Sequence, residues 1–236
     1  MFGGLKEFVW TRHSQYEIVD PCEFKASDGQ LWKFGRRIIT TVEAGDDYRP
    51  LNDYPNLFRA FANVRDEDAL LSFVKQYGPL TDEGRTPSSK NPHFTSKVIM
   101  IDGKRLAEIV YVPGDQIDLC LKQAAWCGHI LRHHRKASPR MQEMIKELEV
   151  RPSICMMDVE PDPVEGVRMI LRPSSLLDAI KFQLLASIRS GDTSVECTHC
   201  ENWFSKKRGA KFCSDKCKDD YHNARRKARR DESLNL

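Results

Sequence analysis

The sequence lacks a long hydrophobic run, and no segment approaches the roughly 20 apolar residues that a membrane-spanning helix needs. Its first ten residues, MFGGLKEFVW, lack the charged start and apolar stretch of a secretory signal. No Walker motif, G-x-G-x-x-G or G-x-S-x-G is present, so no motif indicates an enzyme. We therefore expect a cytoplasmic protein without a membrane segment. A chain of 236 residues, 40% of them hydrophobic, is long enough for one or two buried cores.

Cysteine is present eight times, and half of the cysteines are crowded near the C-terminus. The crowded four follow the spacing C-x2-C-x12-C-x3-C and are Cys197, Cys200, Cys213 and Cys217. Disulfides are rare in the cytosol, whereas a C-x2-C turn brings two thiolates onto one metal ion. The spacing predicts one Zn²⁺ held by these four thiolates. Because the coordination shell would then be full, we expect a structural and not a catalytic metal.

The residues around the cysteines predict a small finger. Ser214 is placed to cap a helix running to about Arg230, which puts Cys213 just before the helix and Cys217 in its first turn. A helix N-terminus favours thiolate charge, so it suits a metal ligand. A knuckle, a short hairpin and a helix supplying the last ligand are typical of a treble-clef-like finger. The aromatic residues expected to form its own small core are Trp203, Phe204, Phe212 and Tyr221.

Several histidines leave alternatives open. His199 lies inside the knuckle and His222 on the following helix, so either could replace a cysteine as ligand. The pair His222-Asn223 also occurs in HNH nucleases, but the further histidines of those enzymes are missing from the sequence. His129 and His133 are spaced i, i+4 and could bind a metal, although no Glu follows in the H-E-x-x-H pattern.

Charge is distributed unevenly along the chain. Residues 197–230 hold eleven Lys and Arg against four Asp and Glu, a net of +7, whereas residues 1–196 hold 26 against 28, a net of −2. A zinc ion with four thiolates adds about −2, so the finger would keep roughly +5. This asymmetry favours a polyanionic partner, since Lys and Arg neutralise phosphates and Arg can also read guanine edges. The cations expected to contact nucleic acid are Lys206, Lys207, Arg208, Lys211, Arg225, Arg226, Lys227, Arg229 and Arg230.

The rest of the chain predicts an α+β protein of two parts, a mixed body over residues 1–190 and the zinc finger over residues 191–236. Capping residues, apolar stripes and terminating glycines predict helices over 66–77, 117–131, 139–148 and 175–190. Alternating β-branched and aromatic residues predict two β-hairpins, one turning at 27–30 and one joining 154–159 to 166–171. Polar, proline-containing stretches predict loops over 44–56 and 81–97.

The stretch CTHCENWFSKKRGAKFCSDKCKDDYHNARRKARR resembles the CGNR-type zinc fingers of bacterial proteins. Those fingers have a C-x2-C knuckle, an aromatic pair, a basic linker, a C-x3-C pair and an arginine-rich helix. The preceding SSLLDAIKFQLLASIRSG is similar to the helix that leads into such fingers. The eponymous Cys-Gly-Asn-Arg is represented here by Cys217-Lys218-Asp219-Asp220. The resemblance implies a nucleic-acid-binding finger, which several members carry as stress-linked transcription regulators.

These features together predict a regulatory protein that binds DNA or RNA through a structural zinc finger and whose body senses a ligand or binds a partner. One alternative is an interaction adaptor whose finger docks on an acidic protein. Another is an enzyme whose body holds an unrecognised active site and acts on nucleic acid. The sequence gives no basis for an oligomeric state.

Overall fold

The computed structural model confirms an α+β fold built of helices and small antiparallel sheets. The residues that it describes are 8–25, 29, 31–85, 95–101, 104–111, 113–134, 139–150, 155–162, 166–191, 193–206 and 209–234. Within this part of the chain, no helix is long and apolar enough to cross a membrane.

Strands and helices alternate irregularly along the chain. The strands are β1 (Trp10–His13), β2 (Tyr16–Val19), β3 (Cys22–Lys25), β4 (Leu31–Phe34), β5 (Arg37–Thr40), β6 (Gly45–Tyr48), β7 (Thr95–Ile101), β8 (Lys104–Tyr111), β9 (Asp115–Gln116), β10 (Cys155–Asp162), β11 (Gly166–Pro173), β12 (Ser194–Glu196) and β13 (Trp203–Ser205). The helices are α1 (Pro50–Asp53), α2 (Leu57–Ala62), α3 (Glu67–Tyr77), α4 (Asp82–Arg85), α5 (Ile117–His133), α6 (Pro139–Val150), α7 (Leu176–Arg189) and α8 (Asp215–Leu234).

The first predicted hairpin is present and continues through two successive ladders. β3 pairs antiparallel with β4, and β2 pairs with β5 in the same sense, with Tyr16 opposite Thr40. Gly29 has φ 87°, as a tight turn requires, and the rest of the predicted turn lies outside the described residues. β9 adds a third strand beside β5, whose four residues are all buried.

Two further hairpins lie later in the chain. The predicted second hairpin is confirmed as β10 and β11, which pair antiparallel from Cys155 opposite Pro173 to Asp162 opposite Gly166. β7 and β8 form another antiparallel pair.

Helices α3 and α7 begin and end where their capping residues predict. The Asp66 side chain accepts a hydrogen bond from the Ala69 amide at 2.8 Å, and α3 ends at Gly78 with φ 84°. Ser175 caps α7 by accepting a hydrogen bond from the Asp178 amide at 3.1 Å. Local signals therefore fix these helix boundaries to within a residue or two.

Both predicted loops contain regular structure. Residues 44–56 include β6 and α1, and β6 is a strand despite its polar sequence because its backbone pairs with β1. The loop predicted over 81–97 begins with α4 and ends inside β7, while residues 86–94 lie outside the described part. For β6 the cause is pairing with a distant strand, which overrides a polar local composition.

The main core lies among α2, α3, α5 and α7. Phe61, Leu70, Ala124 and Ile180 from these helices are fully buried in one apolar cluster. Trp203 of β13 is 7% exposed and belongs to the same cluster. The expectation that Trp203 forms part of a core inside the finger is therefore wrong, because its side chain packs into the body.

Candidate metal centre

The four C-terminal cysteines converge on one point. Their sulfur atoms all lie within 4.8 Å of one another. Cys213 Sγ is 3.6 Å from Cys200 Sγ and 3.5 Å from Cys217 Sγ. Four thiolates at about 2.3 Å from a tetrahedral zinc ion would be about 3.8 Å apart. The cluster therefore has the size and donor type that fit a zinc ion, as the spacing predicts.

A tight turn positions the first two cysteines. The Cys197 amide donates to the Asn202 carbonyl and the Glu201 amide donates to the Cys197 carbonyl, both at 2.9 Å. Glu201 has φ 58°, a left-handed conformation that closes the turn directly after Cys200. The short hairpin of β12 and β13 joins the two sides of this knuckle, with Val195 opposite Phe204.

The start of α8 positions the second pair of cysteines. Ser214 Oγ accepts a hydrogen bond from the Cys217 amide at 3.2 Å, which is the predicted N-cap. Cys213 precedes this cap and Cys217 lies in the first turn. The Cys213 amide also donates to Cys197 Sγ at 3.4 Å, so a backbone N–H supports a sulfur of the other pair.

The thiols of Cys197 and Cys213 differ in pKa because their surroundings differ. Burial alone would raise the pKa of Cys197, but hydrogen bonds from backbone amides, that of Cys200 foremost, lower the pKa to about 6. Partial desolvation, followed by hydrogen bonds to neighbouring thiols, raises the pKa of Cys213 to about 12. Outside the cluster, burial raises the pKa of Cys127 to about 12 and raises that of Cys120 as well, which disfavours the thiolate form of both core thiols.

Arg65, which lies between α2 and α3 in the body, binds the knuckle. Its Nη1 lies 2.7 Å from Glu201 Oε2, and its Nη2 donates to the Glu201 carbonyl at 2.7 Å. Arg65 is also 3.9 Å from Glu196, the residue before Cys197, and Arg132 of α5 forms a hydrogen-bonded ion pair with the same carboxylate. The residues flanking the knuckle on both sides are thus bound by arginines of the body.

Asn63 and Trp203 form a second connection between the two parts. Asn63 Oδ1 accepts from the Trp203 amide at 2.6 Å, and Asn63 Nδ2 donates to the Trp203 carbonyl at 3.4 Å. A side chain at Gly128 would bring its Cβ to 3.4 Å from Trp203 Nε1, so α5 approaches the indole closely. The Arg132 guanidinium lies 5.8 Å from the centre of the same ring.

The predicted nucleic-acid-contacting residues lie on α8 and the loop before it. Every described side chain of α8 from His222 to Asp231 is exposed, including Arg225, Arg226, Lys227, Arg229 and Arg230. Lys206 and Lys211 are exposed as well, and Lys207 and Arg208 lie outside the described residues. The near end of the helix is anchored by Tyr221, whose ring centre is 5.3 Å from that of Phe212.

The alternative histidine ligands do not join the cysteines. Among the described residues, the group at this site that could hold a metal ion consists of the four cysteines alone. The His222 ring packs 6.0 Å from that of Phe212 and 5.5 Å from that of Tyr221. His129 and His133 lie with ring centres 4.6 Å apart on α5, as i, i+4 neighbours do.

No family model matches the sequence, and no curated protein and no solved structure shows significant similarity to it.

Sequence reasoning found the cysteines but missed the residues that hold the knuckle on the body. Asn63, Arg65 and Arg132 carry no local signal of this role, because their partners lie 64 to 140 positions away along the chain.

Proposed function

We propose that this chain is a nucleic-acid-binding regulatory protein, DNA being the first candidate, whose C-terminal finger holds one structural zinc ion. The observation that carries the proposal is a compact four-cysteine cluster at the start of a 20-residue helix whose residues 222–230 are exposed and include five cations. In this proposal a zinc ion bound by the cluster stabilises the finger, and the exposed arginines contact the phosphates of the nucleic acid.

Thiolate chemistry supports zinc as the metal. Four sulfur donors in a tetrahedral arrangement are typical of zinc or iron–sulfur sites, and zinc is the usual ion in a single four-cysteine finger. Such a site needs thiols that stay reduced, which is consistent with a cytosolic location. All four ligand positions are filled by protein, so the ion would stabilise the finger without acting on a substrate.

The position of the basic residues supports nucleic acid as the partner. Residues 222–230 contain five cations and no acid, and all of their side chains are exposed. A helix of 20 residues is about 30 Å long, and a single helix fits the major groove of DNA. The resemblance of this segment to CGNR-type fingers supports the same assignment and suggests a role in transcription.

The zinc site makes the first prediction. Purified protein should carry about one zinc ion per chain, released by thiol modification, because metal binding and folding of such modules are coupled. Cys197→Ser should lower the zinc content and make residues after 191 sensitive to protease. Cys22→Ser, a change at a cysteine outside the cluster, is the control. A metal-free preparation whose C-terminus resists protease would contradict the proposal.

The second prediction concerns the basic face of α8. Binding of the protein to duplex DNA should weaken with salt, with a log–log slope of roughly −2.7 to −4.5 for three to five phosphate contacts. Changing Arg225, Arg226, Arg229 and Arg230 together to Gln should flatten this slope without loss of zinc, which fluorescence anisotropy and metal analysis measure.

A matched variant separates local contact from net charge. Changing the exposed body residues Lys25, Lys33, Lys75 and Lys146 to Gln removes the same charge and should leave the slope within one unit of the original. Equal effects of the two variants would point to nonspecific attraction. Absence of binding to DNA and RNA at low salt would instead favour the adaptor that docks on an acidic protein.

A further inference from the structure

A cleft of about 420 Å³ lies where β13 of the finger meets the body. Its walls carry four aromatic rings, those of Tyr54, Tyr77, Trp203 and Phe204. Trp203 is buried at its base, whereas the other three side chains are half-buried and keep part of their surface open. Tyr54 and Tyr77 stand edge to face, with ring centres 4.9 Å apart and planes at 84°, a favourable arrangement for an aromatic pair.

The polar groups of the cleft are few and balance in charge. Arg59 is 5% exposed, and its guanidinium donates to Ser194 Oγ at 2.7 Å and to Asn56 Oδ1. Asp53 supplies one carboxylate among the described lining residues. With one cation and one anion, the formal charge of this lining is zero. The cleft therefore suits an uncharged group and offers no excess positive charge for a phosphate.

The position of the cleft connects it with the basic part of the finger. Ser205, the last residue of β13, lines the cleft, and Lys206 follows it directly at the start of the basic loop that leads to α8. Phosphates would be attracted to the loop and helix, and an uncharged ring could enter the aromatic cleft. Proteins that bind single-stranded nucleic acid combine the same two features: bases stack on aromatic rings, and a positively charged groove binds the backbone.

We infer that the cleft between α2 and β13 binds an unpaired nucleobase of a nucleic-acid strand whose backbone contacts the basic loop and α8. This inference rests on the proposed function and adds to it a preference for single-stranded or flipped-out bases. The volume of the cleft lies within the range of typical small-ligand pockets, about 300–1,000 Å³. Such pockets commonly lie, as this cleft does, between two packed parts of a protein.

Phe204 provides the test, because it lies in the cleft and outside the cysteine cluster. The probes are a twelve-nucleotide oligo-dT strand, the same backbone with abasic sites, and a duplex of equal length. Phe204→Ala should weaken binding of oligo-dT between about 5-fold and about 150-fold, the range for loss of one stacked base. Binding of the abasic strand and of the duplex should not change. Phe204→Tyr, which keeps a ring, should restore binding of oligo-dT.

Zinc content shows that each variant keeps a folded finger. Equal losses on all three probes, or an abasic strand that binds the original protein as tightly as oligo-dT does, would overturn the inference. If the original protein binds no nucleic acid, the proposed function fails and free adenosine becomes the probe. Adenosine binding seen by saturation-transfer NMR and lost in Phe204→Ala would still support a nucleobase site, and its absence would overturn that site too.

Discussion

Arg65 illustrates how one residue outside a metal cluster can set the geometry within it. Its guanidinium binds both the side chain and the carbonyl of Glu201, the residue in left-handed conformation directly after Cys200. A left-handed conformation at a residue other than glycine is unfavourable by itself and persists because its surroundings fix it. Arg65 therefore acts as a positioning residue for the knuckle, and it does so from the body of the protein.

Removal of this residue makes the third prediction. Arg65→Ala should weaken zinc retention by about 10-fold or more, within the range found for residues that support metal ligands. Competition with a chromogenic chelator measures the change. Arg36→Ala removes a comparable arginine, one paired with Glu67 on the body, and should leave zinc retention unchanged. Equal zinc affinity in both variants would mean that the cysteines hold the knuckle unaided.

At the scale of elements, apolar periodicity predicts α3, α5 and α7, and capping residues add to it for α3 and α7. These signals lie within or next to the helix itself. The strand β6 has no such signal, since its sequence GDDY is polar and only pairing with β1 makes it a strand. The same distinction applies at the candidate metal site. The four cysteines that could hold the ion follow from local spacing, whereas the burial of Trp203 in the body depends on contacts made across the fold.

The cap of α3 makes the fourth prediction. Asp66→Ala should lower the free energy of unfolding by about 1 kcal/mol, because the Ala69 amide loses its acceptor. Asp68→Ala, at an exposed site in the first turn of the same helix, removes the same charge without a cap and should cost about half of that or less. Urea denaturation followed by circular dichroism measures both. Equal losses would assign the effect to charge alone.

At the scale of the whole molecule, the division into a body over residues 1–190 and a finger over 191–236 stays a prediction. The helix α7 completes its own apolar stripe before Gly191, which favours a body that folds alone. However, the Trp203 side chain and the ion pairs of Glu196 and Glu201 connect the finger to α2 and α5. We therefore expect a truncated body to fold with reduced stability.

Truncation makes the fifth prediction. Residues 1–190 alone should unfold cooperatively at a lower temperature than the full chain. Trp203→Ala in the full chain should reproduce most of that loss, about 3 kcal/mol, because it empties the same site in the core. Differential scanning calorimetry compares the two. If the truncated body aggregates while Trp203→Ala remains folded, the boundary near Gly191 is wrong and the finger is part of the core.

The late position of Trp203 in the chain has a consequence for synthesis on the ribosome. The surface of α2 and α5 that receives the indole is complete once residue 133 has been made, and Trp203 follows about 70 residues later. At roughly 5–20 residues per second, translation of that interval takes about 4–14 s. During that time the apolar surface beside Gly128 is not covered by the Trp203 side chain. We therefore expect this surface of the nascent chain to stay exposed to solvent until Trp203 has been synthesised.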